Sequence, residues 1–480
     1  MKILDKFYID GQWVVPDGKQ LLDVINPANE EVCAQLVLGS AHDVDMAVAA
    51  AQRAFASWSR TSADERLAVM RAVLAEYDRR AGDIAAAITQ EMGAPNWLAV
   101  QAQAAVGHSL LSSDIETLQN FEFHEMRGNV QVVREPIGVC GLITPWNWPM
   151  NQIFCKLSPA LATGCTLVWK PSEVSPLSAQ ILMEILDAAK VPAGVVNMVH
   201  GDGPTVGAAI AAHPGIDMIS FTGSTRAGIA VAQAAAPTVK RVSQELGGKS
   251  ANIILDDLDT EGFAKAVSGG MRTMSVNSGQ NCNAPSRMLV PAARMEEASA
   301  VAAATANKIV VGDPLSDGMV MGPVVSQVQW QKIQDLIETG IKEGAQLVAG
   351  GPGRPEELNR GFYVRPTVFA NVTNDMTIAR EEIFGPVLCI LAYSDEGQAV
   401  KIANDTSYGL SSYISGADKA KVREIASQLR TGMVHLNGAS PNSKTPFGGY
   451  KQSGNGRERG PDGFDEYLET KAILGFADDE

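Results

Sequence analysis

Positive charge, paired cysteines and long apolar runs are all in short supply in this chain. Lysine and arginine number 39 against 54 aspartates and glutamates, a formal net charge of −15. Nucleic acid and anionic membrane surfaces need a basic footprint, so both are disfavoured as partners. The six cysteines (Cys33, Cys140, Cys155, Cys165, Cys282, Cys389) form no CxxC pair, and several stand in apolar strand-like runs. That usage fits a reduced cytosolic chain rather than a disulfide framework. The six histidines are scattered without HExxH or other ligand spacing, which argues against a bound metal. No uncharged apolar run is long enough to span a bilayer. The opening stretch, Met1 to Lys6, puts charges where a signal peptide needs an apolar run. The expected location is the cytoplasm.

A length of 480 residues is too much for one core, so two or three domains are expected. With 45% hydrophobic and 19% charged residues, the composition is that of an ordinary enzyme. Residues 7 to 36 read as short strands punctuated by turns. Helical spacing follows over Asp43 to Ser57, over Ser62 to Met92, and from about Pro95 to Gln119. Ser62 and Glu65 form a candidate capping box, and Gly93 a stop. Phe121 to Glu135 reads as an edge hairpin that leaves the main body. From Val139 to Glu245 apolar strands alternate with helices, one of them capped by Ser175-Pro176; this predicts βαβ units and a parallel sheet. After Gly247-Gly248 the alternation begins again and runs to Met433–Leu436, a second α/β domain. The tail from Thr445 to Gly475 is glycine-rich and then weakly strand-like.

Cys282 lies on a polar loop, Ser278 to Pro285, between a helix expected over Thr260 to Asn277 and the apolar strand Met288–Val290. A free cysteine is more often a small buried hydrophobe than a nucleophile, so its meaning depends on the rest of the chain. Glu245 ends the last strand of the first sheet and suits a general base; a solvated rim acid is the plainer reading. Asn147, between Trp146 and Trp148, suits an oxyanion donor or a helix cap. Ser224 opens a helix and is a candidate phosphate contact. Lys170 and Glu173 end a strand and could bond ribose hydroxyls. Glycines at 201, 203 and 207 lack the usual dinucleotide spacing and read equally as a tight turn.

Taken in order, several stretches resemble the motif set of the NAD(P)-dependent aldehyde dehydrogenase superfamily. They are Pro145 to Pro149, Lys170 to Glu173, Phe221 to Thr225, Glu245 to Lys249, Gly279 to Cys282, Glu381 to Pro386 and Pro446 to Tyr450, and the likeness covers roughly residues 7 to 475. The resemblance implies an α/β fold of two doubly wound domains with a small β oligomerisation hairpin. A Rossmann-like cofactor domain would span 1–118 and 137–248, and a catalytic thiol domain 249–444. Bridging segments at 119–136 and 445–480 would build a homodimer or homotetramer.

The resemblance also assigns roles. Cys282 would be the nucleophile, forming a thiohemiacetal and then a thioester. Asn147 would stabilise the oxyanion, Glu245 would activate the hydrolytic water, and Lys156 and Glu458 would relay protons. Cofactor contacts are expected at Ile143, Thr144, Trp146, Lys170, Ser172, Glu173, Gly203, Phe221, Gly223, Ser224, Leu246, Glu382 and Phe384. Glu173 favours NAD, because a carboxylate accepts from both ribose hydroxyls and repels a 2′-phosphate. Ser172 beside Lys170 leaves room for some NADP use.

The same pattern places the substrate tunnel near Trp148, Asn151, Gln152, Cys155, Val276, Asn281, Asn283, Ala439, Pro441 and Phe447. The set is mixed, small and rather polar, with no arginine to grip a carboxylate and no cage for a quaternary ammonium. It predicts a roomy tunnel for a medium or bulky aldehyde bearing a polar or aromatic group. Two rival classes are a CoA-acylating dehydrogenase, which generally lacks the general base, and a non-catalytic homologue, which should have lost Cys282, Glu245 or Asn147.

Overall fold

Two seven-stranded sheets, each flanked by helices, carry the chain. The computed structural model describes residues 2–477; Met1 and the end of the 445–480 segment lie outside the described residues. The first sheet contains β1 (Val139–Ile143), β2 (Thr166–Lys170), β3 (Val196–Met198), β4 (Met218–Thr222) and β5 (Arg241–Glu245). Their order is β5-β4-β1-β2-β3, all pairs parallel. The N-terminal strands Phe7–Ile9 and Gln12–Val14 then add on, antiparallel. β1, β2 and β4 are buried at every position, as continuous apolar runs in a sheet covered on both faces should be.

Connectivity makes a crevice here. The chain steps outward from β1 to β2 and β3, then returns to lay β4 on the other side of β1. Loops leaving the carboxyl ends of β1 and β4 therefore diverge, and such a reversal is where open α/β sheets bind ligands.

The second sheet holds β6 (Ala251–Ile254), β7 (Arg287–Pro291), β8 (Thr367–Ala370), β9 (Val387–Tyr393), β10 (Ser411–Ser415) and β11 (Met433–Leu436). They are parallel in the order β8-β9-β7-β6-β10-β11, and Gln346–Ala349 runs antiparallel outside β8. The expected hairpin forms from His124–Arg127 and Val130–Pro136, and the tail strand Leu468–Ile473 pairs with its second arm.

Local signals in the sequence hold in most places. Ser62 and Glu65 make the reciprocal capping box, worth about 1 kcal/mol, and Gly93 ends that helix at φ 76°. Three expectations need correction. Ser175 makes no side-chain cap bond; the buried Glu91 carboxylate instead accepts from the Leu177 and Ser178 amides of helix Pro176–Ala188. The helix expected over Pro95 to Gln119 is interrupted by a π-helical turn, Ala99–Ala104. The helix before Cys282 ends at Ser275, because Val276 swings to ψ 137° and Asn277 and Ser278 then turn left-handed.

Candidate active site

The Cys282 loop begins with a strained turn. Asn277, Ser278 and Gly279 have φ of 54°, 56° and 73° in succession. Left-handed backbone costs a non-glycine residue roughly 1–2 kcal/mol, so outside bonds must hold it. Asn277 Nδ2 donates to the Asn147 carbonyl at 2.9 Å, and Ser278 Oγ donates to Gly322 O at 2.8 Å. At Gly279 a side chain is excluded, since a Cβ would lie 2.2 Å from the Gly385 carbonyl.

Asn147 stands just before helix Pro149–Thr163, with its side chain buried. It is not that helix's cap; its Nδ2 donates to Gln280 O at 3.1 Å, and its second N–H remains for another acceptor. Gln103 braces the pair from the π turn, donating to Asn277 Oδ1 at 3.0 Å and more weakly to Asn147 O at 3.4 Å. A π turn slips the register of side chains by one place, which is how a single residue of a long helix can be aimed at a site. Gln280 ties down the loop from the far side, accepting from the Val325 amide at 2.9 Å.

Cys282 and Asn147 open on one cavity of about 690 Å3. Of the expected tunnel residues, Trp148, Asn151, Gln152, Val276, Asn281, Asn283, Ala439, Pro441 and Phe447 line it. Cys155 does not; it is buried behind the wall. Asn281 accepts from the Trp148 indole N–H and donates to Val276 O at 2.8 Å, which leaves its second N–H for another acceptor. Tyr413 and His435 stack in the wall, centroids 4.6 Å apart, and Tyr413 Oη donates to Asn283 O. Arg459 also lines the cavity, so the expectation of a tunnel without arginine is corrected.

Burial pushes the Cys282 thiol up to about 12, with the charges of Glu382, Glu245 and Glu458 adding to the rise. At rest the sulfur therefore carries its proton. Glu245 lies off the cavity wall, buried, with neither carboxylate oxygen hydrogen-bonded. Desolvation, and next the nearby Glu458 charge, hold its pKa well above the carboxylate range. Lys156 and Glu458 form a buried ion pair beside it. Gly248, after β5, lets the two units meet: a Cβ there would lie 2.2 Å from Cys282 O, and its amide donates to Glu382 Oε1 at 2.9 Å.

The expected cofactor residues gather at the carboxyl edge of the first sheet. Ile143, Thr144 and Trp146 end or follow β1, while Lys170, Ser172 and Glu173 do so for β2. Gly203 follows β3; Phe221, Gly223 and Ser224 sit at the end of β4, and Leu246 follows β5. Glu382 and Phe384 arrive from the other unit, Phe384 edge-on to Trp146 at 5.5 Å. Lys170 Nζ donates to Glu173 Oε2 at 3.0 Å, to Pro171 O at 2.9 Å and to Gly201 O at 2.8 Å, so a ribose hydroxyl would take the place of one of these. Ser224 Oγ accepts from the Ala227 amide as a helix cap, which leaves its own proton to donate. This donor set and the open space at Gly203 fit ribose hydroxyls and a phosphate.

Among the described residues there is no cluster of metal ligands and no helix long and apolar enough to cross a membrane. Residues 13–473 match the model of the aldehyde dehydrogenase family. This chain belongs to that family.

Aldehyde dehydrogenases are among its similar proteins too. A 3-succinoylsemialdehyde-pyridine dehydrogenase from a Pseudomonas species is 55% identical, over 99% of both chains. The crystal structure of a cysteine-to-alanine mutant of aldehyde dehydrogenase C from Pseudomonas syringae, complexed with NAD+ and octanal, superposes with a TM-score of 0.97. It is 53% identical and covers 99% of this chain and 97% of that one. An aldehyde dehydrogenase from Bartonella henselae gives 0.96 at 50% identity, covering 98% and 99%. Within this aldehyde dehydrogenase, Gln103, Asn277, Gln280, Tyr413, His435 and Arg459 are among the site residues that sequence reasoning missed. Only Asn277 carried a signal, as an Asn-Ser-Gly run suited to left-handed backbone.

Proposed function

We propose that this protein oxidises an aldehyde to its carboxylic acid with NAD as acceptor, through acyl transfer on Cys282. The carrying observation is that Cys282 and Asn147 open on one cavity while the buried, unbonded carboxylate of Glu245 lies close enough to raise the thiol's pKa. Cys282 Sγ gives its proton to solvent water and adds to the aldehyde carbon, whose C=O π pair moves onto oxygen. The resulting oxyanion accepts from Asn147 Nδ2 and the Cys282 amide. NAD, when bound, supplies the acceptor for the hydride that leaves this carbon. Cys282 is left holding the acyl group as a thioester. Glu245 then takes a proton from water, whose oxygen adds to the thioester carbonyl; the C–S bond breaks and the carboxylate departs. The Lys156–Glu458 pair passes that proton outward.

Lys170, Glu173 and Ser224 would hold the ribose and phosphate, Glu382 and Phe384 the nicotinamide end. The substrate is a medium or bulky aldehyde with a polar or aromatic group. The wide cavity, its Tyr413–His435 shelf and the pyridine-bearing aldehyde in the relative's name support this. The octanal bound to the Pseudomonas syringae enzyme supports room for chain length. Glu245 stands against a CoA-acylating reaction. The hairpin sheet with its exposed first arm is the assembly surface of a homodimer or homotetramer, and the cysteines, all free, suit the cytoplasm. NADH absorbance over an aldehyde panel without CoA tests the reading; no turnover, or strict dependence on CoA, overturns it.

A further inference from the structure

We propose that Arg459 is a specificity-determining residue that donates to a second oxygen on the aldehyde, so that a keto-aldehyde or a carboxylate-bearing semialdehyde is preferred over a plain alkanal. This rests on reading the cavity as the aldehyde site. Among the residues lining that cavity, Arg459 is the one permanently charged side chain; the other polar ones are amides, hydroxyls, a thiol and an imidazole.

The guanidinium has no anionic partner of its own. Its Nη2 donates to the carboxamide of Asn151 at 2.9 Å, and its Cζ lies 4.8 Å from the centre of the Phe447 ring. Its Nε is buried and unbonded. Of the neighbouring acids, Glu458 pairs with Lys156; Asp114, which accepts from Ser158, makes no ion pair with Arg459 but lies close enough for the guanidinium charge to oppose the rise that burial causes in its pKa. A guanidinium has five N–H donors; with one on Asn151 and one facing the Cys155 thiol, others remain for an oxygen entering from the cavity. Such a bond is charge-assisted, and a site built around it discriminates strongly against an analogue that lacks the acceptor.

The backbone supports the same reading. Arg459 sits at φ 73° and ψ 148°, a conformation suited to glycine. Glu458, one residue earlier, is turned into the protein toward Lys156. The strained peptide thus sends two adjacent side chains to different places, one to the buried pair and one to the cavity. Glycine would relieve the strain, yet arginine occupies the position.

The test compares kcat/KM, with NAD, for three aldehydes of similar length. Adipate semialdehyde carries a distal carboxylate, the corresponding methyl-keto aldehyde a distal neutral carbonyl, and hexanal neither. In Arg459→Gly, which suits the backbone and should keep or raise the thermal midpoint, the ratio of acceptor-bearing aldehyde to hexanal falls at least about tenfold, chiefly through KM. Arg459→Lys restores part of the ratio for the carboxylate. A fall confined to adipate semialdehyde identifies the oxygen as a carboxylate's. A fall for both acceptor aldehydes identifies a carbonyl oxygen of either kind. Ratios within about twofold of wild type for both overturn the proposal. A wild type that oxidises hexanal without preferring either acceptor aldehyde also overturns it, and leaves the proposed function standing. One that oxidises none of the three overturns both.

Discussion

Asn277 holds Asn147 from behind: its Nδ2 donates to the Asn147 carbonyl oxygen, while its Oδ1 accepts from Gln103. The left-handed backbone at Asn277 is therefore tied to the position of the proposed oxyanion donor. Asn277→Gly tolerates the backbone but loses the bonds, and kcat should fall roughly tenfold to a hundredfold. Asn277→Ala should show the same kcat loss plus about 1 kcal/mol of instability from the strained φ. Steady-state rates and urea midpoints of the two variants separate the effects; equal midpoints would contradict the strain account.

Cys282→Ala should reduce NADH formation to background with every aldehyde while NAD still binds. Turnover surviving in this variant, with binding measured by calorimetry alongside, would remove the sulfur from the mechanism.

Turnover should climb with pH through neutrality into the alkaline range. The sign follows from both raised groups: the Cys282 thiol, pushed up to about 12 by burial, must lose a proton to attack. Glu245, held above the carboxylate range by desolvation, cannot take one from water until pH passes its shifted value. Glu245→Gln should lower kcat about a hundredfold or more by removing the base. A wild-type rate already flat from mildly acidic pH would contradict this account.

Lys156 and Glu458 are buried together, so removing one leaves an uncompensated charge. Lys156→Met should destabilise by roughly 3–5 kcal/mol, and adding Glu458→Leu should recover most of that. Urea unfolding of the single and double variants measures it.

Glu173→Gln removes the carboxylate proposed to repel a 2′-phosphate. The kcat/KM for NADP relative to NAD should rise by about tenfold, the equivalent of roughly 1.4 kcal/mol of relieved repulsion. An unchanged ratio would place Glu173 away from the ribose.

Much of this arrangement was legible in the sequence because it rests on local signals. Apolar runs of strand length gave β1, β2 and β4, and polar loops at their ends marked the crevice. Cys282, Asn147 and Glu245 stood out through ordered motifs rather than through periodicity. Gln103 did not, because helical spacing hides a one-residue π slip inside a long helix. Glu91 as the cap of helix Pro176–Ala188 depends on a contact far away in the sequence, which local capping rules cannot see. Cys155 was placed on the tunnel wall and lies behind it, while Arg459 was overlooked beside Glu458. Which way each of those side chains points is decided by a backbone angle at 459 that no spacing rule predicts.

The pairing of Leu468–Ile473 with Val130–Pro136 also acts as a strap on the site. The segment that this strand anchors carries Glu458 to the buried Lys156 and Arg459 to the cavity wall. Substitutions that loosen the small sheet, though distant from Cys282, should therefore disturb that ion pair and that wall before they disturb either large sheet.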